Sequence, residues 1–567
     1  MSPLLTRNLK VKFLGITPVL TDETGVLNPQ QIVALSSLAT FKGRSIKKLL
    51  KDIEKKGENL DEKIKGILQR SSLRGHASLS TTPSLCLAYE GSKFLDSALT
   101  GIVFSSSLAS SGRRTKTTEV DIVYPVRIFK NKKARKIYET ISKRIIKFFN
   151  FLSANGVQKD EASKILQYGI YGTGIIYLPI ESIIGLKREY VTEKAWMPEE
   201  IGILLKKIEK KLKNLGIDWL YTTREAAPRN VYPYPNIFKS PKKLNLVREL
   251  RKKEKLIDNS KLISVDVLIP PGLKKKLANF EKKRKKVFSS LTKIKKNWLS
   301  LLFQLQEVFR DYNLTLKIKV LSSVPWRVWG EKKRHRTCPQ IIESIYYCIN
   351  RAAERFRKFK KQIEKNQINK KLLKDYNPPT TSEVPLRRVA GGSESHSSLH
   401  SEWAPIEEIF SIPPSIKENP EFLKEYLLIA LKSFEGYRNL IKLKIKPREA
   451  IFLIPRAVKI DILQEYDLYN LLTGYYPLRL CQTAEEEMRR NTLREASQIK
   501  KALTKKGHSW LNKFIGPKCQ MIGFCPEEKS CGQILTSVKK YNEKFHREMK
   551  EDLKKRFEEN LKNLGRR

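Results

Sequence analysis

The sequence predicts an α+β fold made of two diverged copies of one unit, and three observations lead there. Short segments with strand alternation are interleaved with long amphipathic helical segments. The stretch "KDEASKILQYGIYG" (159–172) is echoed by "KPREAIFLIPRAVK" (446–459), each followed by a tyrosine-bearing run. "RHRTCPQIIES" (334–344) has a counterpart in "GIVFSSSLASS" (101–111), which keeps the spacing to its serine but not the Arg-His-Arg triplet. Recurring paired segments of this kind suggest a diverged tandem duplication.

Taken in order, "NLKVKFLGI" (8–16) alternates as a strand should. Helices are expected at 29–40 and 44–70, the second with Ile46, Leu49, Leu50 and Ile53 at helical spacing. An apolar run at 84–89 leads into a helix over 92–104, and "EVDIVYPV" (119–126) reads as a strand. The amphipathic stretch 130–152 predicts a long helix, 159–186 is interrupted by glycines, and a helix at 199–215 closes the first half. Residues 241–300 are dominated by Lys-rich segments of helical character. A strand at 313–321 precedes the triplet, and helices are expected at 339–365, 419–435 and 467–505. The Pro-, Gly- and Ser-bearing segment 376–404 reads as a mobile loop. The divisions expected are a first copy at 1–220, a Lys-rich connector at 221–310, a second copy at 311–540 and a basic C-terminal helix at 541–567.

Composition narrows the class. With 40% hydrophobic residues the chain has material for cores. No apolar run is long enough to span a bilayer, and Arg7, Lys10 and Lys12 interrupt the start, so a soluble cytoplasmic protein is expected. The net charge of +52 points to anionic partners, nucleic acid, an acidic membrane face or phosphate-bearing small molecules, although lysines spread over helices also fit a plain solvated surface. The seven cysteines form no secreted framework. Cys519, Cys525 and Cys531 are evenly spaced but lack the tight pairs of a zinc knuckle, so metal is not expected beyond that one candidate trio.

The triplet carries the chemistry. In an extended segment Arg334 and Arg336 point to one side and His335 to the other. Two guanidiniums side by side suit phosphate oxygens, and an imidazole can bond a ring edge. Ser111-Gly112-Arg113 joins a hydroxyl, an approachable backbone and a guanidinium, which also suits phosphate. In the other direction, a solvated charge cluster beside Lys332 and Lys333 and an ordinary Ser/Gly loop account for the same residues.

The Arg-His-Arg triplet followed after seven residues by a serine, here Arg334, His335, Arg336 and Ser344, resembles the signature of the flavin-dependent thymidylate synthases. "RGHAS" (74–78), "SKFLDSALTGIV" (92–103), "SSGRRTK" (110–116), "LRLCQTAEEEMRR" (478–490) and "GPKCQMIGFCPEEKSCG" (516–532) are similar to further motifs of that family. The resemblance implies two fused copies of the family fold, a mixed or antiparallel sheet with long helices, the second copy carrying Lys-rich helical insertions. It implies FAD held by Arg334, His335, Arg336 and Asn470. It places dUMP on Ser111, Gly112, Arg113, Ser344 and Arg479, with Arg479 also polarising the uracil as the catalytic group. Methylenetetrahydrofolate and NADPH are the implied co-substrates, the reaction is methylation of dUMP to dTMP, and a homodimer would imitate the family's tetramer.

Departures divide the motifs between the copies. Gly101-Ile102-Val103 replaces the triplet in the first, while Ile345-Tyr346 follows Ser344 in the second where Gly-Arg is usual. Thr81-Thr82, Ser163, Ile451, Leu472 and Glu485 also stand where the family has other residues. The expectation is therefore a pooled site: flavin contacts and Arg479 from the second copy, the nucleotide-phosphate loop from the first. Competing expectations are a non-catalytic relative that binds flavin, nucleotide or nucleic acid, with Trp326 and Trp329 interleaved among cations, and an altered reaction such as hydroxymethylation.

Overall fold

The computed structural model describes residues 3–18, 27–74, 77–110, 117–227, 234–365 and 403–564. Gly75, His76, the Ser111-Gly112-Arg113 loop and nearly all of 376–404 lie outside them. The fold is α+β. Its strands are β1 (Leu4–Leu5), β2 (Lys10–Thr17), β3 (Ser84–Ser92), β4 (Ser106–Ala109), β5 (Val123–Tyr124), β6 (Tyr171–Pro179), β7 (Ser260–Val267), β8 (Leu316–Pro325), β9 (Gln340–Ile342) and β10 (Lys459–Tyr466). β1 and β5 form a short parallel pair.

Two four-stranded sheets share one connectivity. The first runs β2-β3-β6-β4 and the second β7-β8-β10-β9. Counted within its own sheet, each places the first strand beside the second, the second beside the fourth and the fourth beside the third. The β2–β3 and β7–β8 pairs are both antiparallel, and each has one register shift near the middle, at Phe13/Gly15 and at Leu262/Ser264. A bulge adds local twist, so two sheets bulged on their first strand twist alike. In β3 the alternation is plain: Leu85, Leu87 and Tyr89 are buried, and Cys86, Ala88 and Glu90 only half so.

The chain forms two compact units. Unit 1 comprises Met1–Asn245, Pro325–Arg336 and Ile342–Ile460; unit 2 comprises Leu246–Val324, Thr337–Ile341 and Asp461–Arg567. In unit 1 two long helices, Lys132–Ala154 and Pro420–Lys442, are tied by a bidentate pair from Arg144 Nε and Nη2 to the Glu425 carboxylate, 2.8 Å each. Each is capped by an asparagine, Asn131 accepting from the Ala134 N–H and Asn419 from those of Glu421 and Phe422. An aromatic cluster fills the unit 1 core, with Phe94 stacked on Phe452 at 4.3 Å and Tyr168 against Trp326 at 4.2 Å.

Several elements depart from the sequence reading. Residues 44–70 are two helices, Ile46–Lys55 and Leu60–Leu73, because Gly57 turns left-handed at φ +62° and Asn59 caps a new start. Within 241–300 a strand, β7, stands between helices. Its Ser264-Val265-Asp266-Val267 alternation is a strand signal that the surrounding lysines obscure. The helix expected from 92 to 104 is confined to Phe94–Leu99, and the strand at 119–126 to Val123–Tyr124. The stretch 467–505 breaks into Leu468–Leu472, Tyr476–Arg479 and Glu486–Lys505.

Candidate functional site

The triplet is set by the short helix Trp326–Lys332 that ends just before it. Trp326 donates its N–H to the Val458 carbonyl at 2.8 Å. Lys93, at the head of Phe94–Leu99, donates likewise to the Ile170 carbonyl at 2.9 Å. The same number of residues separates Trp326 from Arg334 and Lys93 from Gly101. The Gly101 turn is thus the structural counterpart of the triplet turn.

The triplet is a turn and not the extended segment expected. The N–H groups of Arg334, His335 and Arg336 donate to the carbonyls of Glu331, Lys332 and Arg334. Arg334 and Arg336 are exposed, and neither guanidinium has a carboxylate partner among the described residues. His335 is half-buried. Lys332 and Lys333, which composition placed in solvent, are buried. Lys333 Nζ donates to the carbonyls of Asp96 (2.9 Å) and Ser97 (2.7 Å) and lies 4.4 Å over the Trp329 ring. A cation on the carbonyls ending Phe94–Leu99 complements that helix end. Burial holds its amine well below the usual lysine range, with Arg334 adding to the effect.

In unit 2, Asn470 is fully buried and fully used. Its Oδ1 accepts from Thr337 Oγ1 (3.0 Å) and Cys338 Sγ (3.2 Å), and its Nδ2 donates to the Thr337 carbonyl (3.1 Å) and Asp467 Oδ1 (2.8 Å). Asn470 therefore fixes the two residues that follow the triplet in sequence. Arg479 ends the helix Tyr476–Arg479 and is half-buried. Glu485, the departure from the family's glutamine, caps the helix Glu486–Lys505 by accepting from the Met488 N–H at 2.8 Å. Acidic caps suit helix N-termini, which accounts for the change.

Ser344 is completely buried, its Oγ donating to the Lys239 carbonyl at 2.6 Å, and no phosphate reaches it in this arrangement. Ser111, Gly112 and Arg113 lie outside the described residues. Their lead-in does not: buried Lys93 donates to both the carbonyl and the Oγ of Ser110, and its Nζ lies 3.3 Å from Asp96 Oδ2. Sequence reasoning missed Lys93, because one lysine among 111 basic residues carries no signal.

Arg456 is another buried cation of unit 1. Its guanidinium is buried 4.8 Å over the Tyr168 ring, its Nε donates to the Gln167 carbonyl, and burial lowers it to about 10. Its Nη2 and both Gln167 amide atoms are buried without hydrogen-bond partners.

Cys519, Cys525 and Cys531 lie close to one another and to Cys481, near enough to raise the Cys519 and Cys525 thiols. Among the described residues no three His, Cys, Asp or Glu side chains are placed to hold an ion. Burial, with the neighbouring cysteines adding to it, pushes the Cys519 thiol up to about 12.

The family model described as "Thymidylate synthase complementing protein" matches residues 256–503. Flavin-dependent thymidylate synthases of Pyrococcus horikoshii and Pyrococcus abyssi are 34% and 30% identical over 125 residues, which is 22% of this chain and 50% of each relative. The chain thus spans half the length of the relatives it matches. Among solved structures, a UMP/dUMP methylase, PolB, from Streptomyces cacaoi bound with 5-Br dUMP is 10% identical over 40% of this chain and 100% of its own, with a TM-score of 0.31. Thymidylate Synthase X from Helicobacter pylori with FAD and dUMP is 14% identical over 38% and 99%, with a TM-score of 0.28. Residues 256–503, which hold the triplet, Asn470 and Arg479, are therefore the part of the chain similar to the flavin-dependent thymidylate synthases.

Proposed function

We propose that this chain is an FAD-dependent enzyme that methylates dUMP to dTMP, taking its carbon from methylenetetrahydrofolate and its reducing power from NADPH. The observation that carries the reading is the pair of exposed guanidiniums at Arg334 and Arg336, unpaired among the described residues and inside the family-matched span. Two free arginines on one turn fit the pyrophosphate of a flavin dinucleotide. When bound, that flavin supplies hydride chemistry belonging to the cofactor.

The chain's own residues bind and orient. Arg334 and Arg336 hold phosphates, His335 bonds a ring edge, and Asn470 keeps Thr337 and Cys338 in place behind them. Arg479 offers a fixed positive charge to a pyrimidine on which negative charge develops. With Ser344 committed to the Lys239 carbonyl, the nucleotide phosphate falls to Ser111, Gly112 and Arg113 of the first copy. The shared strand order of the two sheets supports descent from a tandem duplication. A homodimer would then hold four copies of the sheet.

The test is the absorbance spectrum of the purified protein. A flavin spectrum that bleaches with dithionite and shifts on adding dUMP, with dTMP formed when folate and NADPH follow, is the expected result. The second reading, a relative that binds without turnover, draws on the burial of Ser344. It predicts the spectrum and the dUMP shift with no dTMP. A colourless protein indifferent to dUMP overturns both.

A further inference from the structure

Unit 2 carries a helical hairpin whose charge the synthase reading does not use. Helices Pro271–Phe288 and Leu291–Tyr312 are joined by Ser289-Ser290 and run antiparallel, with Lys276 near the start of one bonded to Asp311 near the end of the other. Leu273, Leu277, Phe280 and Val287 of the first helix are buried. The lysines gather at the tip: Lys282, Lys283, Lys285 and Lys286 end the first helix, and Lys293 and Lys296 begin the second.

Between 281 and 296 the only carboxylate is Glu281, which is taken by Arg284 at 2.6 Å and Lys513 at 3.8 Å. Of the seven lysines between 281 and 296, the half-buried Lys295 pairs with Asp552 at 4.0 Å; the six named have no carboxylate partner among the described residues, and all of these but the half-buried Lys283 are exposed. Cations at the end of the first helix are explained by its dipole. Lys293 is not, because it stands in the first turn of a helix, where positive charge is unfavourable. Clustered like charge also repels itself, so stability alone does not account for this tip. A bound polyanion does.

We propose that the hairpin tip is a docking surface for single-stranded nucleic acid. Lysines act as point charges on successive phosphates without reading sequence. On the second helix the outward stripe of Lys293 and Lys296 continues through Phe303, which is 57% exposed. An exposed ring beside a cationic track is a platform for an unpaired base. An acidic membrane fits less well. A helix lying in a lipid interface turns its apolar face to the lipid, and the first helix has its own buried in the protein, with Ala278 and Asn279 between the outer lysines.

The experiment is fluorescence anisotropy of the full chain with a labelled oligothymidylate of about 20 nucleotides, the matching duplex, and phosphatidylcholine vesicles with and without phosphatidylglycerol. Replacing Lys282, Lys283, Lys285 and Lys286 by Gln is compared with Gln at Lys206, Lys207, Lys210 and Lys213, exposed lysines of the helix Glu199–Asn214. Tight single-strand binding is expected, with the log–log salt slope falling by about 3 in the hairpin variant only. Phe303→Ala should weaken single-strand binding about 5- to 100-fold and leave duplex binding unchanged. Equal losses in both lysine variants, an indifferent Phe303→Ala, or binding to anionic vesicles but not to oligonucleotide would each overturn the proposal. Flavin content serves as a separate readout, so failure here leaves the synthase reading standing.

Discussion

Gln167 and Pro455 pair as an antiparallel bridge, and each stands the same few residues ahead of the fourth strand of its own sheet. Equivalent positions of the two halves therefore meet about a local two-fold axis within unit 1. Two true copies would put identical side chains there. This chain puts Tyr168 and Arg456 at the next equivalent pair, the guanidinium lying over the ring. The pair is a cation–π contact where matching residues would have given Tyr–Tyr or Arg–Arg.

Restoring symmetry with Tyr168→Arg should accordingly be costly. It buries a second guanidinium beside the first, whose Nη2 already has no partner. An uncompensated buried charge costs about 3–5 kcal/mol. Urea denaturation of the variant against the parent measures it, and an unchanged midpoint would mean the Arg456 pocket is open to water.

Glu200 should make stability depend on pH below neutrality. It is fully buried, it accepts from the N–H and Oγ of Ser92, and burial raises its carboxyl to about 7. The folded pKa lies above the unfolded one, so the fold favours the protonated form. That contribution is complete below about pH 4.5 and is lost as pH rises towards 7; it is on the order of 3 kcal/mol. Glu200→Gln preserves the shape and should flatten the stability profile across that window. Parallel profiles for parent and variant would refute the assignment.

How much of this was legible beforehand depended on whether the signal was local. The triplet could be read because Arg, His and Arg are adjacent, and the paired segments of the two halves because each echo lies within a short stretch of sequence. β7 was hidden because lysines around it swamp a short alternation. Lys332 and Lys333 read as solvated because nothing in a sequence shows that the Trp329 ring and the Asp96 and Ser97 carbonyls await one of them. Ser344 fits its motif and is nonetheless sequestered by Lys239, a residue 105 positions away. Identity was visible where chemistry is local, and roles were not where long-range contacts decide them.

Asn470→Ala tests whether this asparagine acts by positioning. The change strips partners from Thr337, Cys338 and Asp467 at a buried site, which costs about 2–3 kcal/mol by the loss of paired donors and acceptors. The expected outcome is a lower urea midpoint together with weaker flavin retention. Asn470→Asp keeps the acceptor but turns a carboxylate oxygen on Asp467 Oδ1 and the Thr337 carbonyl, so it should be destabilising as well. Flavin loss with no change in midpoint would indicate direct contact with the cofactor instead.

Arg334→Ala and Arg336→Ala should behave in the opposite way. Both side chains are exposed and neither has a carboxylate partner among the described residues, so their removal leaves stability within about 0.5 kcal/mol of the parent. If they hold a flavin's phosphates, each single variant loses charge-assisted bonds worth about 1.5–3 kcal/mol, which is a tenfold or greater loss of affinity. Flavin-to-protein ratio after gel filtration and the thermal midpoint, measured on the same samples, separate the two effects. Full flavin occupancy in both variants would remove the triplet from the cofactor site and with it the main support for the synthase reading.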